Sequence, residues 1–290
     1  MKKAYLLLPI LFLFASCLGD DSNFQPIPND GNNNGNPNPN PNTPVLITKL
    51  VVGGETSTFS YNGSKISQIQ HGNGEISKFD YSGDLIVEET LTGGSVNTTI
   101  QYDYDVKDRL LTKKENYISG TTKSTVETNY TYISSTNVKI SYTRTTEGNF
   151  AGSPIITTGV RNATLNADGS LSSWSETASV PIPNSSGFYA ATGALQPIEY
   201  DTKNSPYKNI TGYLKIISDE DENGSVHNIL NYNDVLEYNN GSGSASWSVF
   251  KSSYDYNTSN YVTRNVRNYY DKTGSNVTKT EVRNYEYNHL

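Results

Sequence analysis

The sequence predicts a mainly β protein built from antiparallel hairpins, and three observations support this prediction. Apolar and polar residues alternate with a period of two, as between Val96 and Asp105, which is typical of a strand with one packed and one solvated face. No long stretch of the chain has the spacing of an amphipathic helix. Short Gly- and Asn-rich stretches between the alternating runs favour hairpin turns, namely Asn62-Gly63, Gly72-Asn73-Gly74, Gly93-Gly94, Asn166-Ala167-Asp168-Gly169 and Asn223-Gly224.

The first 16 residues have the features of a cleaved export signal. Lys2 and Lys3 precede an apolar run, and small residues follow it directly before Cys17, the only cysteine. The run is shorter than the roughly 20 apolar residues that a transmembrane helix needs. The four residues that end at Cys17 resemble the bacterial lipobox, although Phe14 stands where Leu is usual. This resemblance implies cleavage before Cys17 and a lipid on its sulfur, which would be the protein's contact with the membrane.

Residues 17–44 are rich in Asn, Gly and Pro and predict a disordered tether, because such a composition cannot bury enough apolar surface to order a backbone. Asp20 and Asp21 lie just after Cys17. Acidic residues at these places resemble the signal that sends lipoproteins of Bacteroidota to the outer face of the outer membrane. The resemblance implies display on the cell surface, and a periplasm-facing anchor is the alternative.

The charge balance narrows the range of partners. The chain has 22 basic and 29 acidic residues, a net charge of −7, and no basic stripe. Nucleic acid is therefore not an expected partner, because its binding draws most of its affinity from Lys and Arg contacts to phosphate. With Cys17 lipidated, no thiol remains for a disulfide, so the core of residues 45–290 must supply the stability.

A weak repeat runs through this β-rich domain. Residues 59–66 and 79–86 share an aromatic-x-Tyr, turn, then Ile/Leu pattern, and looser copies begin at Tyr102, Tyr254 and Tyr285. The pattern resembles the YD (Rhs-like) repeats. A further stretch, residues 200–209, is similar to one in uncharacterised surface lipoproteins of Bacteroidota (DUF4595-like), except that Ser205 replaces Asn. The resemblance covers most of residues 46–290 and implies an open, twisted sheet that forms an antiparallel meander, without a known activity.

Residues 150–209 interrupt the repeat with several prolines, which are rare in central strands. This pattern predicts a loop-rich insertion that covers an edge or an end of the sheet. Irregular loops also carry binding sites more often than regular elements do, so a ligand site is expected here if one exists.

The sequence holds no catalytic motif. His71, His227 and His289 are isolated, and the motifs of metalloproteases, serine hydrolases, P-loop enzymes and dinucleotide-binding enzymes are absent. Asp103 and Asp105 share one strand face and could mimic a carboxylate pair, but a solvated surface is the favoured interpretation. No catalytic residue is therefore predicted.

One acidic stretch resembles part of a calcium site. Asp219, Asp221 and Asn223, followed by Gly224, reproduce the first half of an oxygen-ligand calcium loop. The twelfth position holds Leu230 and not the bidentate Glu, so an acidic hairpin turn is favoured, with Ca²⁺ binding as the alternative. No other cofactor is predicted.

Trp174 and Trp247 are the two tryptophans. On a surface protein they could serve as stacking platforms for sugar rings. Trp247 shares strand parity with Val249, however, and this favours a position in the core.

Three functions are compatible with these features. The first is a non-enzymatic, lipid-anchored surface protein that acts as a scaffold or interaction module for an envelope protein. The second is a module that binds glycan or another exported ligand. The third is a hydrolase that uses acidic residues. A membrane-spanning barrel is disfavoured because charged pairs such as Glu88-Glu89 interrupt the strands. Nothing in the sequence sets an oligomeric state.

Overall fold

The computed structural model describes residues 43–148, 154–182, 187–217, 225–239 and 245–289. The described part lies almost wholly within one compact unit, Pro44–Leu290. The predicted signal peptide, Cys17, the export residues Asp20 and Asp21, and nearly all of the predicted tether lie outside the described residues.

The described residues form seventeen β-strands and one short 3₁₀ helix, Tyr213–Lys215. The strands are β1 (Ile47–Val52), β2 (Glu55–Asn62), β3 (Lys65–Gln70), β4 (Ile76–Ser82), β5 (Leu85–Thr92), β6 (Asn97–Tyr104), β7 (Leu110–Ser119), β8 (Thr122–Tyr132), β9 (Asn137–Glu147), β10 (Ile155–Leu165), β11 (Leu171–Pro181), β12 (Phe188–Leu195), β13 (Glu199–Tyr200), β14 (Ile229–Tyr238), β15 (Ala245–Tyr256), β16 (Val262–Tyr270) and β17 (Val277–Tyr287).

The sheet closes on itself, so the prediction of an open, twisted sheet is wrong. Each strand pairs antiparallel with its neighbours in sequence, β12 pairs with β14, and β17 pairs with β1. The result is a barrel of sixteen strands, to which the two-residue β13 adds a short pairing along β14. Closure has a physical reason, since the first and last strands would otherwise present rows of unpaired N–H and C=O groups.

The prediction of a loop-rich insertion at residues 150–209 is also wrong for most of that range. Three strands of the wall, β10, β11 and β12, lie within it. Pro154 directly precedes β10 and Pro181 ends β11, so these prolines mark strand ends and do not break strands. Irregular chain within the described residues is concentrated later, at residues 201–217 and 225–228.

The predicted alternation along β6 is confirmed. Tyr102 is 5% exposed and Thr98 is 6% exposed, whereas Asn97, Gln101 and Asp103 are exposed on the opposite face. Most strands of the wall direct their larger apolar and aromatic side chains inward in this way. The resulting core includes Ile47, Ile66, Ile86, Leu110, Val138, Leu195, Ile229, Tyr232, Phe250 and Val262, each almost completely buried.

The sequence repeat encodes a β-bulge in each hairpin. In β4–β5, Tyr81 pairs with Ile86 but Asp80 pairs with Glu88, so Val87 is an extra residue. The same shift occurs at Ser60/Tyr61, Asp103/Tyr104 and Asp255/Tyr256. The tyrosine at each of these shifts points inward opposite a buried aliphatic residue.

Tyrosine hydroxyls bond to the main-chain carbonyls beside these bulges. Tyr104 donates to the carbonyl of Ile86, the residue before the bulge, at 2.8 Å. Tyr61 donates to Ile47 at 2.6 Å, and Tyr287 donates to Val262 at 2.7 Å. Two further tyrosine hydroxyls repeat the arrangement, Tyr254 to Ile229 at 2.8 Å and Tyr200 to Leu171 at 2.7 Å. Because a bulge takes residues out of the ladder, each hydroxyl supplies a partner to a carbonyl at the interruption.

The outward faces of β8 and β9 are polar. On β8 and β9 the exposed outward residues are Lys123, Glu127, Asn129, Thr131, Asn137, Lys139, Thr143 and Glu147. A barrel wall in contact with lipid needs an outward apolar band about 25 Å tall, flanked by aromatic residues. The described residues of β8 and β9 form no such band. No helix among the described residues is long and apolar enough to cross a bilayer.

We predict that Tyr104→Phe destabilises the barrel by about 1 kcal/mol, because the half-buried carbonyl of Ile86 loses its hydroxyl partner. Chemical denaturation measures the difference. Tyr270→Phe is the matched control, since among the described residues no hydrogen bond to the Tyr270 hydroxyl exists. Equal stability of the Tyr104 variant and the wild type would contradict a stabilising role for this bond.

Candidate functional site

One end of the barrel is closed by residues 201–217, which we call the plug. Within the plug, Tyr207 stacks on Tyr213 with ring centroids 5.9 Å apart. Tyr213 also contacts Phe79 of β4 at 6.1 Å, and Tyr207 contacts Phe59 of β2 at 6.5 Å. Tyr213 is 5% exposed, so the plug adds its aromatic rings to the core of the barrel.

Main-chain and hydroxyl contacts fix the plug to the hairpins β2–β3 and β4–β5. The amide of Thr211 donates to the carbonyl of Ser64 at 3.0 Å, and Tyr81 donates to the carbonyl of Thr211 at 3.1 Å. Gly212 has a positive φ of 87° and lies directly against Asp84 and Ile86. A side chain at this position would be strained and would also meet the β4–β5 turn.

The start of the plug is held by a polar network around Asp201. The Asp201 carboxylate accepts hydrogen bonds from Asn228 and from the hydroxyl of Tyr256. Asn209 donates to the hydroxyl of Tyr261 at 2.7 Å and to the carbonyl of Val45 at 3.0 Å. Residues 200–209, the stretch with the family resemblance, therefore hold the plug against the wall and have a structural role.

We call the end that carries the plug the turn end, and the opposite end the loop end. The turn end includes the turns at residues 63–64, 83–84, 105–109 and 257–261, and the chain enters β1 there. The loop end includes the connections at residues 53–54, 71–75 and 271–276. Because aromatic rings of the plug fill the turn end, the described barrel is a cup and not an open channel.

Above the plug the inner surface, which we call the lumen, is charged. The strand registers direct six acidic and six basic side chains inward among the described residues, so their formal charges cancel. The acids are Glu55, Glu89, Glu115, Glu176, Asp234 and Glu281, and the bases are Lys113, Arg144, Arg161, Arg267, Lys279 and Arg283.

Glu176 of β11 is the best-packed of these acids, with a side chain that is 2% exposed. It accepts hydrogen bonds from Arg161 at 3.0 Å and from the hydroxyl of Tyr142 at 2.7 Å. The Arg161 guanidinium lies 4.1 Å from the ring centre of Trp174. These contacts neutralise a buried carboxylate and fix the wall at this level.

Glu281 of β17 is held in a similar way by two cations. Its carboxylate contacts Arg283 at 2.7 Å and Lys279 at 2.8 Å. Burial alone would raise the pKa of Glu281. The two cations lower it by more than burial raises it, so the pKa of Glu281 is below its usual value. Glu281 is therefore ionised at neutral pH and is not a candidate for a general acid.

The inward charged side chains of β17 are more exposed toward the loop end. The exposure of inward-facing charged side chains rises from 11% at Glu281 to 57% at Lys279 along β17. Inward residues of β10 to β12 are small at one level, where Gly159 pairs with Ala178 and Ala178 pairs with Ala191. The lumen thus combines an apolar floor with charged walls.

The candidate carboxylate pair of the sequence is not an acid/base pair. Asp103 points outward and accepts a hydrogen bond from Thr112 at 2.6 Å. Asp105 lies in the following turn, where Arg109 contacts it at 2.6 Å and helps to lower its pKa to about 2. Both groups have structural partners outside the lumen.

Two of the three histidines also have structural partners. His71 contacts the hydroxyl of Ser77 at 3.1 Å, and burial lowers its pKa. His227 contacts the carbonyl of Lys203 in the plug at 2.8 Å. No cluster of three or more potential metal ligands occurs in the described parts of the chain. Residues Asp219, Asp221 and Asn223 lie outside them, so calcium binding stays a prediction.

Trp174 belongs to the core at 4% exposure, whereas the core position predicted for Trp247 is wrong. Trp247 points outward from β15 and is 44% exposed. Val249 has the same parity and also points outward. It is nevertheless buried, because it lies beside Gly274 of the β16–β17 connection. On this strand Phe250, of the opposite parity, faces the core.

The charged lumen is the feature that sequence reasoning missed. In β7, Lys113, Glu115 and Tyr117 face inward, but a bulge at Leu111 separates their parity from that of buried Leu110. The sequence did contain a signal for this face. Lys113 and Glu115 have opposite charges and are two residues apart, and residues two apart lie on the same face of a strand.

No protein-family model matches this chain, and no curated protein matches it. A solved structure with a similar fold is a porin-like protein from Bacteroides vulgatus, with a TM-score of 0.50 and 14% sequence identity. The alignment covers 84% of this chain and 100% of that one. This likeness concerns the fold.

Proposed function

We propose that this protein is a lipid-anchored, non-enzymatic envelope protein whose barrel binds a ligand in the lumen. The observation that supports the proposal is the cup itself, which has a plugged turn end and a solvent-accessible charged wall above it. A scaffold needs only an outer surface, whereas the inward charges of this barrel carry an energetic cost that a ligand site explains.

The anchor rests on the N-terminal sequence. The lipobox-like residues end at Cys17, and Asp20 and Asp21 follow at the places of an outward export signal. The polar outer wall agrees with an anchor of this kind, because a barrel that faces water needs a separate membrane attachment. The chain enters the barrel at the turn end, where Asn209 contacts Val45. The charged part of the lumen lies toward the opposite end.

The charges of the lumen fit binding better than catalysis. The buried acids Glu176 and Glu281 are both engaged by cations, and these cations hold the pKa of Glu281 below its usual value, unlike the raised pKa of a general acid. Binding sites, in contrast, need a few fixed polar groups beside aromatic surface. Arg161 beside Trp174 and Lys279 beside Tyr269 are arrangements of this type.

We predict that Cys17→Ala abolishes lipid attachment. Cells that express the variant should incorporate no tagged fatty acid into this protein, because lipidation and cleavage both act at Cys17. The matched control is the double variant Asp20→Ala/Asp21→Ala, which should keep the label and lose its sensitivity to protease added to intact cells. Equal labelling of wild type and Cys17→Ala would contradict the lipoprotein assignment.

We also predict that filling the lumen blocks ligand binding. Ala178→Trp places a large ring on the inner wall, whereas Thr177→Trp places the same ring on the exposed outer face one residue away. On an array of envelope and dietary glycans, the wild type and Thr177→Trp should retain the same glycans, and Ala178→Trp should lose them by at least tenfold. Melting temperatures verify that both variants fold.

Two results would contradict binding in the lumen. Equal retention by the Ala178 and Thr177 variants would move the site to the outer face. Retention of no glycan by the wild type would favour the scaffold function instead.

A further inference from the structure

Arg144 of β9 differs from the other inward cations. Its cross-strand partners are Val126 of β8, which is 7% exposed in the core, and Thr157 of β10, so the strand register directs Arg144 into the lumen. Yet its side chain is exposed. Arg144 therefore presents a solvated guanidinium to the inside of the cup.

The remaining inward cations are engaged by the protein. Lys113 pairs with Glu115 at 3.0 Å and Arg161 with Glu176 at 3.0 Å. Lys279 and Arg283 share Glu281, and Arg267 lies 4.0 Å from the ring centre of Phe250. For Arg144, by contrast, the described residues provide no carboxylate within ion-pair distance. The Thr157 side chain across from it is too small to cover a guanidinium.

Two tyrosines lie near this free charge. Burial raises the pKa of Tyr117 and Tyr142, and the Arg144 charge acts on both in the opposite direction. Tyr117 donates to Glu115 at 2.9 Å and Tyr142 donates to Glu176 at 2.7 Å, so both phenols are fixed. The Tyr142 ring lies directly over Gly159, because a Cβ there would be 2.3 Å from the ring. The two rings form rigid aromatic surface at the sides of Arg144.

A pair of hydroxyls completes the surroundings. Ser124 of β8 and Thr146 of β9 are cross-strand partners, and their hydroxyl oxygens are 3.2 Å apart. Thr146 shares the inward parity of Arg144, two residues away on the same strand. Fixed aromatic faces with adjacent hydroxyls suit a sugar ring, and a guanidinium suits a carboxylate through two parallel hydrogen bonds.

We propose that Arg144 is the anion-recognising residue of the lumen and that it takes the carboxylate of an acidic saccharide. The sugar ring lies beside Tyr117 and Tyr142, and its hydroxyls reach Ser124 and Thr146. This assignment rests on the proposed function, since it names the ligand class of the same lumen. Lys113 and Arg161 already neutralise the nearby carboxylates, so an entering anion meets little repulsion.

Binding of short saccharides to the full-length protein tests this assignment. The acidic probes are trigalacturonate, trimannuronate and sialyllactose, and the neutral probes are galactotriose, mannotriose and lactose. We expect at least one acidic probe to bind at least tenfold more tightly than its neutral counterpart. Arg144→Gln should remove this preference, and Lys139→Gln, an exposed outward change on the same strand, should alter affinity less than twofold.

The outcomes distinguish the role of Arg144 from ligand binding in the lumen as a whole. If Arg144→Gln keeps the acidic preference, or if neutral and acidic probes bind equally, the role of Arg144 is wrong, while a loss of binding in Ala178→Trp still supports a lumen site. Equal binding of triglutamate and the acidic saccharides would overturn the saccharide class. If no probe binds and Ala178→Trp matches the wild type on the glycan array, both proposals fail.

Discussion

The hydrogen bond from a tyrosine hydroxyl to a main-chain carbonyl beside a bulge is the interaction on which the barrel depends. Bulges turn tyrosines inward, and several tyrosine hydroxyls reach the carbonyl before a bulge elsewhere in the sheet, as Tyr61 does at Ile47 and Tyr104 at Ile86. The last such bond joins Tyr287 to Val262 beside the closing pairing of β17 with β1. The tyrosines therefore supply packing area and also repair the interruptions that give the sheet its curvature.

This use of tyrosine decides the polarity of the barrel. Aromatic and aliphatic side chains occupy many of the inward positions, and the exposed outward positions of β8 and β9 hold Lys, Glu, Asn and Thr. The apolar part of the interior lies at the turn end, where Tyr207 and Tyr213 of the plug complete it. Above this floor the interior carries charge, so the region that is left for a ligand is polar and rimmed by aromatic rings.

Local patterns in the sequence predicted the strands, the hairpin turns and the inward parity of Tyr102 and Tyr104, because a period of two is visible within a few residues. Closure was missed because it joins Lys49 to Glu286, 237 residues apart, and no local signal encodes that pairing. The inward charges were missed because of the bulges. One extra residue at Leu111 inverts the parity of Lys113 and Glu115, so simple alternation along the strand does not place them inside. The pattern of prolines within residues 150–209 was misleading because Pro154 and Pro181 mark strand ends. The roles of Cys17, Asp20 and Asp21 stay predictions, because these residues lie outside the described part of the chain.

A cross-link between β1 and β17 tests the closed barrel most directly. Lys49 and Glu286 are cross-strand partners with their side chains on the outer face, 2.8 Å apart at the ion pair. In a Cys17→Ser background, Lys49→Cys/Glu286→Cys should form a disulfide under mild oxidation, because adjacent strands satisfy the required geometry. Mass spectrometry and a faster-migrating non-reduced band would show it. Two thiols that remain fully alkylatable in the folded protein would contradict closure and restore an open sheet.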